Sequence, residues 1–282
     1  MNSDSFDPIG IALQEDIGSG DITTQFLVPP QLKAHGRIIT RERCIVAGTE
    51  TAAGVFYRIN PDLRVDILQP DGTALTGGET ILEVRGSAAS ILTAERVVLN
   101  FLQRFCGIAT LTRQFVEAVG KHRAKILDTR KTTPGLRALE KQAVLAGGGA
   151  NHRFGLHDMV LVKDNHVSAQ GGLSSFAQAI ARARSERPDL QIEVEADHLE
   201  QVRAFLEIDG INVILLDNMK PAEMREAVAL GKDKVKFEAS GGVTLKNVRQ
   251  IAATGVDFIS VGALSHSAPA VDLSLELTHV AE

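Results

Sequence analysis

The chain has 282 residues, enough at roughly 150 per domain for two domains or for one large barrel with an appendage. A hydrophobic share of 44%, a charged share of 23% and a mean hydropathy of +0.03 exclude a disordered or fibrous chain. With 30 basic against 35 acidic residues, a net charge of −5, no Trp and one Tyr, neither a positive field nor a stacking surface for nucleic acid is expected.

The first ten residues, MNSDSFDPIG, have no basic start and no apolar run, so no signal peptide is read there. No stretch approaches the roughly 18 consecutive apolar residues of a membrane span, and a cytoplasmic location is expected. Before residue 90, alternating segments at Gly36–Thr40, Cys44–Ala47, Val65–Leu68 and Thr80–Arg85 are broken by Gly-rich turns such as Leu75-Thr76-Gly77-Gly78-Glu79. That is the pattern of a small α+β domain. Cys44 and Cys106 are too few and too far apart for a disulfide framework or a thiolate metal site, and are read as buried thiols in a reducing compartment.

A long helix is expected from about Ile91 to Val119, broken or bent near Gly107. On it Arg96, Asn100, Gln103 and Arg104 form a polar stripe opposite Val97, Val98, Phe101 and Phe105. From about residue 124, short β-branched runs alternate with longer segments of helical period, the signature of parallel β/α units. Strands are expected at Ala124–Leu127, Met159–Val162, Gln191–Val194, Asn212–Leu216, Val235–Ala239 and Asp257–Val261. Between them lie helices such as Leu173–Arg184 and Leu245–Thr254, the latter ended by Gly255. Later strands recur about every 20 residues, which suits a barrel better than an open sheet with long crossovers.

The acidic total hides a local reversal. Between Lys121 and Lys163 there are nine Lys and Arg residues against Asp128, Glu140 and Asp158, a local charge of +6. Solvated helix faces account for Lys121, Arg123, Lys125 and Lys141. Arg130, Lys131, Arg153 and Lys163 instead lie at or beside strand ends, and a β/α barrel binds ligands at the carboxyl ends of its strands. Reading those ends in turn gives Asp128-Thr129-Arg130-Lys131, Lys163-Asp164-Asn165-His166, Glu193 and Glu195, Asp217-Asn218, Ser240-Gly241-Gly242 and Gly262-Ala263. An anionic ligand is expected there. The two late glycine turns suit close backbone approach to a phosphate, the first being followed by the helix expected at Leu245–Thr254; tight turns alone are the plainer reading. Glu195 and Asp217, on consecutive strands, could converge on one hard cation, Mg2+ being the natural choice, or serve as counter-charge to the basic cluster. Of the histidines, His152 beside Arg153 and His266 after the last glycine turn have the most suggestive settings.

These residues carry a resemblance. Asp128-Thr129-Arg130-Lys131-Thr132-Thr133-Pro134-Gly135-Leu136-Arg137, Gly147-Gly148-Gly149-Ala150-Asn151-His152-Arg153, Leu161-Val162-Lys163-Asp164-Asn165-His166 and Glu238-Ala239-Ser240-Gly241-Gly242 resemble the quinolinate phosphoribosyltransferase family (nicotinate-nucleotide pyrophosphorylase, carboxylating). Glu15-Asp16-Ile17-Gly18-Ser19-Gly20-Asp21-Ile22-Thr23-Thr24 and Glu95-Arg96 match as well, so the likeness covers nearly the whole chain.

The resemblance implies an α/β fold, an incomplete (open) α/β barrel over 112–267 preceded by a sandwich-like α+β domain over 1–111, with 268–282 packing back on the latter. It implies transfer of the phosphoribosyl group from phosphoribosyl pyrophosphate (PRPP) to quinolinate with decarboxylation, in a homodimer whose active sites are shared across the interface. By position, Arg96 of the other subunit and Thr129, Arg130, His152, Arg153 and Lys163 would hold quinolinate. Lys131, Ser240, Gly241, Gly242, Val261, Gly262, Ala263 and His266 would surround PRPP. Lys131, Lys163, Glu195 and Asp217 would be catalytic, the last two holding Mg2+. No nucleic acid or membrane partner is implied. Two rivals are a molybdenum-utilisation paralogue, against which the intact Arg130, Arg153 and Lys163 set argues, and a phosphate-ligand sensor, which has no need of Glu195 and Asp217 beside a dicarboxylate clamp.

Overall fold

Two aspartates start the first two helices. Asp7 accepts the Gly10 N–H at the head of α1 (Pro8–Ile17), and Asp21 accepts the Thr24 N–H at the head of α2 (Ile22–Leu27). This computed structural model describes residues 6–163, 166 and 172–279. The chain divides into two units. One comprises the residues up to Arg113, Thr132–Gly148 and the segment from Leu264 onward; the other comprises Gln114–Lys131 and Gly149–Ala263. The membership of the first unit thus differs from 1–111 plus 268–282, chiefly by including Thr132–Gly148.

In the first unit, β1 (Lys33–Thr40), β2 (Cys44–Ile45), α3 (Thr49–Ile59), β3 (Arg64–Ile67), β4 (Ala74–Leu75) and β5 (Thr80–Ser87) precede the long α4 (Ala88–Val119), which runs on into the second unit. Its main sheet has the order β12-β1-β5-β3, where β12 (Leu273–His279) is the last strand of the chain. β12 pairs antiparallel with β1, Leu273 opposite Thr40 and Leu277 opposite Gly36. Residues 280–282 of the expected C-terminal tail lie outside the described residues. Phe56, Ile81, Leu82, Ile91, Leu102 and Phe105 are fully buried at the centre of this unit.

α4 runs 32 residues without interruption, so the expected break at Gly107 does not occur. Gly107 instead lets the C-terminal segment cross the helix: a Cβ there would collide with the Pro269 carbonyl oxygen. Beside the crossing, Val271 N–H donates to the Gln103 carbonyl and the Gln103 side-chain amide donates to that of Leu273. Arg104 donates to the carbonyls of Ser265 and Ala268 and pairs with the fully buried Glu140 of α5 (Arg137–Ala146) at 2.9 Å. Part of the polar stripe is therefore structural, while Arg96 and Asn100 remain exposed.

The second unit is built on β6 (Lys125–Leu127), β7 (Val160–Val162), β8 (Ile192–Ala196), β9 (Val213–Asp217), β10 (Lys236–Ser240) and β11 (Phe258–Ser260). The helices α6 (Leu173–Glu186), α7 (Leu199–Phe205), α8 (Pro221–Leu230), α9 (Val248–Ala252) and α10 (Ala263–His266) follow β7 to β11 in turn. Every strand pairing is parallel, in the order β6-β11-β10-β9-β8-β7. The first strand therefore lies beside the last, and the edges are β6 and β7, which follow one another in the chain. This is an open α/β barrel. Ile192, Val194, Ile214, Leu216, Phe237, Ala239 and Ile259 are buried on one sheet face. By the two-residue period of a strand, Glu193, Glu195, Asp217, Glu238 and Ser240 share the opposite face, the barrel interior.

Candidate active site

Because all the strands are parallel, their carboxyl ends lie on one edge, and Asp128, Lys163, Glu195, Asp217, Ser240 and Val261 are carried there together. Asp164 and Asn165 lie outside the described residues. Arg130, after β6, and Arg153, before β7, line one cavity of about 470 Å³ with Lys163 and His166. Its remaining wall is largely apolar and includes Met159, Leu161 and Phe176. Burial lowers the Arg153 pKa and the neighbouring Arg130 charge lowers it further, as expected of two cations held close together.

Lys163 Nζ lies 2.8 Å from Glu195 Oε2. With the lysine side chain 52% exposed, such a pair contributes only about 0–1 kcal/mol, so Lys163 can exchange it for another anion. Glu195, Asp217 and Asp197 each place a carboxylate oxygen within 4.8 Å of the others. Asp197 was not anticipated: it falls just beyond the end of β8, where a strand pattern gives no orientation. The residues present suit a hard divalent ion, since all three offer oxygen. Asn218 Nδ2 donates to Asp217 Oδ2 at 2.7 Å and so steadies that carboxylate.

Gly241, at φ +90°, is required within the protein itself, since a Cβ there would collide with the Asn218 side chain. α9 begins only at Val248, because Asn247 accepts the Thr244 N–H and donates to the Gly242 carbonyl, making a turn where a helix was expected. Gly242, at φ +60°, faces open space. Ser240 is partly exposed at the end of β10, Val261 is buried, and Gly262 and Ala263 are partly exposed. Thr129 Oγ1 accepts the Lys131 N–H at 3.1 Å, shaping the turn that follows β6. Arg96 stands exposed on α4 in the first unit, to which His266 also belongs; His266 Nδ1 is 2.6 Å from Ser267 Oγ.

His152 is turned inward. Its Nε2 lies 3.0 Å from Glu193 Oε2 and 3.5 Å from Glu238 Oε2. Its backbone N–H donates to the buried Asp128. Burial acts to lower the His152 pKa, but the hydrogen bond with Glu193 and the charge of Glu238 outweigh it and raise the value. Burial pushes the Glu238 carboxyl up to about 8, helped by Glu193.

Models of the quinolinate phosphoribosyl transferase family match residues 21–106 (N-terminal domain) and 108–276 (C-terminal domain). The chain is 41% identical over 264 residues to a probable nicotinate-nucleotide pyrophosphorylase [carboxylating] of Bacillus subtilis, covering 94% of this chain and 90% of that one. It is 42% identical over 283 residues to the quinolinate phosphoribosyltransferase [decarboxylating] 2, mitochondrial, of Nicotiana glauca, covering 95% and 80%. Among solved structures it is similar to NadC from Streptococcus pyogenes, at a TM-score of 0.91 and 37% identity over 97% and 96% of the two chains. It is also similar to the nicotinate-nucleotide pyrophosphorylase of Ehrlichia chaffeensis, at 0.88 and 40% over 96% and 97%.

Proposed function

Because the chain belongs to the quinolinate phosphoribosyltransferase family, we infer that it transfers the phosphoribosyl group of PRPP to quinolinate, releasing pyrophosphate and carbon dioxide and forming nicotinate mononucleotide. The observation that ties this to particular residues is the convergence of Arg130, Arg153 and Lys163 on one cavity. Quinolinate is a planar dianion. An Arg fork meets a carboxylate bidentately, and each charge-assisted bond contributes roughly 1.5–3 kcal/mol. Several cations around one pocket therefore select two carboxylates over one, while its apolar wall reduces competition from water.

Lys163, paired with Glu195, stands where the dicarboxylate pocket meets the acidic cluster. Glu195 and Asp217, together with Asp197, would hold a magnesium ion, which when bound stabilises the charge on departing pyrophosphate. Lys131 and the Ser240–Gly242 and Val261–Ala263 turns would surround PRPP. With the ring held, its nitrogen attacks the anomeric carbon as the bond to pyrophosphate breaks. The cationic ring then stabilises the carbanion left when the adjacent carboxylate departs as carbon dioxide, and a proton takes its place. A second copy of the chain would complete the pocket with its Arg96, a role supported by the exposure of Arg96 on α4. The test is incubation with quinolinate, PRPP and Mg2+: nicotinate mononucleotide and pyrophosphate should form in equal amounts. Binding of PRPP without release of pyrophosphate would overturn the reading.

A further inference from the structure

Within the barrel interior lies an ionisable cluster whose two carboxylates the proposed chemistry does not use. Glu193 of β8 and Glu238 of β10 are 1% and 2% exposed, project into the barrel interior from either side of β9, and each bring a carboxylate oxygen within 4.8 Å of the other. One further oxygen of each, Oε1, is buried without a hydrogen-bond partner. His152 reaches down to both from the loop before β7. At its other nitrogen, Nδ1, it accepts the backbone N–H of Arg153 at 2.8 Å. With Nδ1 accepting, the ring proton sits on Nε2 and points at Glu193. Three ligand atoms at this spacing also suit a transition-metal ion, but the Nε2–H direction is already taken by the carboxylate.

A line of contacts thus runs from Glu193 and Glu238 through His152 to the main chain of Arg153. Asp128 clamps the His152 backbone from the side at 2.8 Å. Glu193 also acts electrostatically on the Arg153 guanidinium.

We propose that Glu193 and Glu238 are positioning residues for quinolinate, acting through His152 to fix the direction in which Arg153 presents its fork. This rests on the reading of Arg153 as a carboxylate ligand. A displaced fork weakens the dicarboxylate and leaves the PRPP side of the site unaffected, so the two substrates respond differently.

Steady-state kinetics of the full chain, with melting curves for each variant, test this. Glu193→Gln removes the charge that holds His152 and should raise the quinolinate KM about tenfold or more, while that for PRPP moves less than about threefold. Glu238→Ala should do the same, and Glu238→Gln, which keeps a donor of the same shape, should recover most of the loss. Arg153→Lys gives the reference: an unchanged quinolinate KM there sinks the parent reading. If Arg153→Lys raises it but folded Glu193→Gln does not, or if both Michaelis constants rise equally, the positioning role alone is wrong. Should Glu193→Gln not fold, the Glu238 pair decides, and equal constants for Ala and Gln overturn the proposal. So does one equivalent of zinc or manganese that co-purifies and is lost in Glu238→Gln.

Discussion

Glu238 holds its proton in the fold because there is no water to solvate its charge and Glu193 lies beside it, which places its pKa at about 8 rather than the usual carboxylate value of 4.5. The folded state therefore binds a proton that the unfolded state has released across the window from about 4.5 to 8. By linkage, stability from this group is greatest at low pH and falls as pH rises through that window. Glu238→Gln removes the titration, so the melting temperature of the variant, relative to the native chain, should climb between pH 5 and pH 8. A constant difference across this range would show that Glu238 does not carry the proton. In the cavity that Arg130 lines, Arg130→Ala would delete one fork of the proposed dicarboxylate clamp. The quinolinate KM should rise by about tenfold to a hundredfold while that for PRPP stays within a few-fold, and equal increases would refute the assignment.

At the level of elements, legibility followed periodicity. The six strands of the second unit lie within about two residues of where β-branched runs and the turns between them put them, since a buried parallel strand declares itself by composition alone. What the pattern could not supply was long-range contact. Glu140 read as one acid in a basic stretch but proves to be the buried partner of Arg104, 36 residues earlier in the chain. Glu193 and Glu238, 45 residues apart, meet only because β9 alone separates their strands. Gly107 read as a break for the same reason: a glycine inside a helix signals weakness unless the segment packed on it is known. Ala at that position would add about 1 kcal/mol of helix propensity. Its Cβ would also strike the Pro269 carbonyl, and overpacking of that kind costs about 1–3 kcal/mol. Gly107→Ala should therefore lower the melting temperature against its propensity. A rise would mean that the crossing segment gives way freely.

At the scale of the whole molecule, the open barrel has an unclosed side, since no pairing joins β6 to β7 among the described residues and Leu127 of β6 bridges instead to Ala150, ahead of β7. In the proposed homodimer, symmetric pairing of two copies would complete two such sites at once, each with the other copy's Arg96, because in an isologous dimer whatever one subunit lends it also receives. This predicts complementation. A hybrid of an Arg96→Ala subunit with a Lys163→Ala subunit has one site in which both defects meet and one in which both residues are native. Neither parent has a native site. Random mixing makes about half of the dimers hybrids, each with one working site of two, so activity should recover to roughly a quarter of the native level from two nearly inactive preparations. The Lys163 defect belongs to the barrel and the Arg96 defect to the donor helix, so recovery requires that the two residues reach one site from different chains. If each chain supplied its own Arg96, the hybrid would carry one defect in every site, and mixing would restore nothing even where mass spectrometry shows hybrids present.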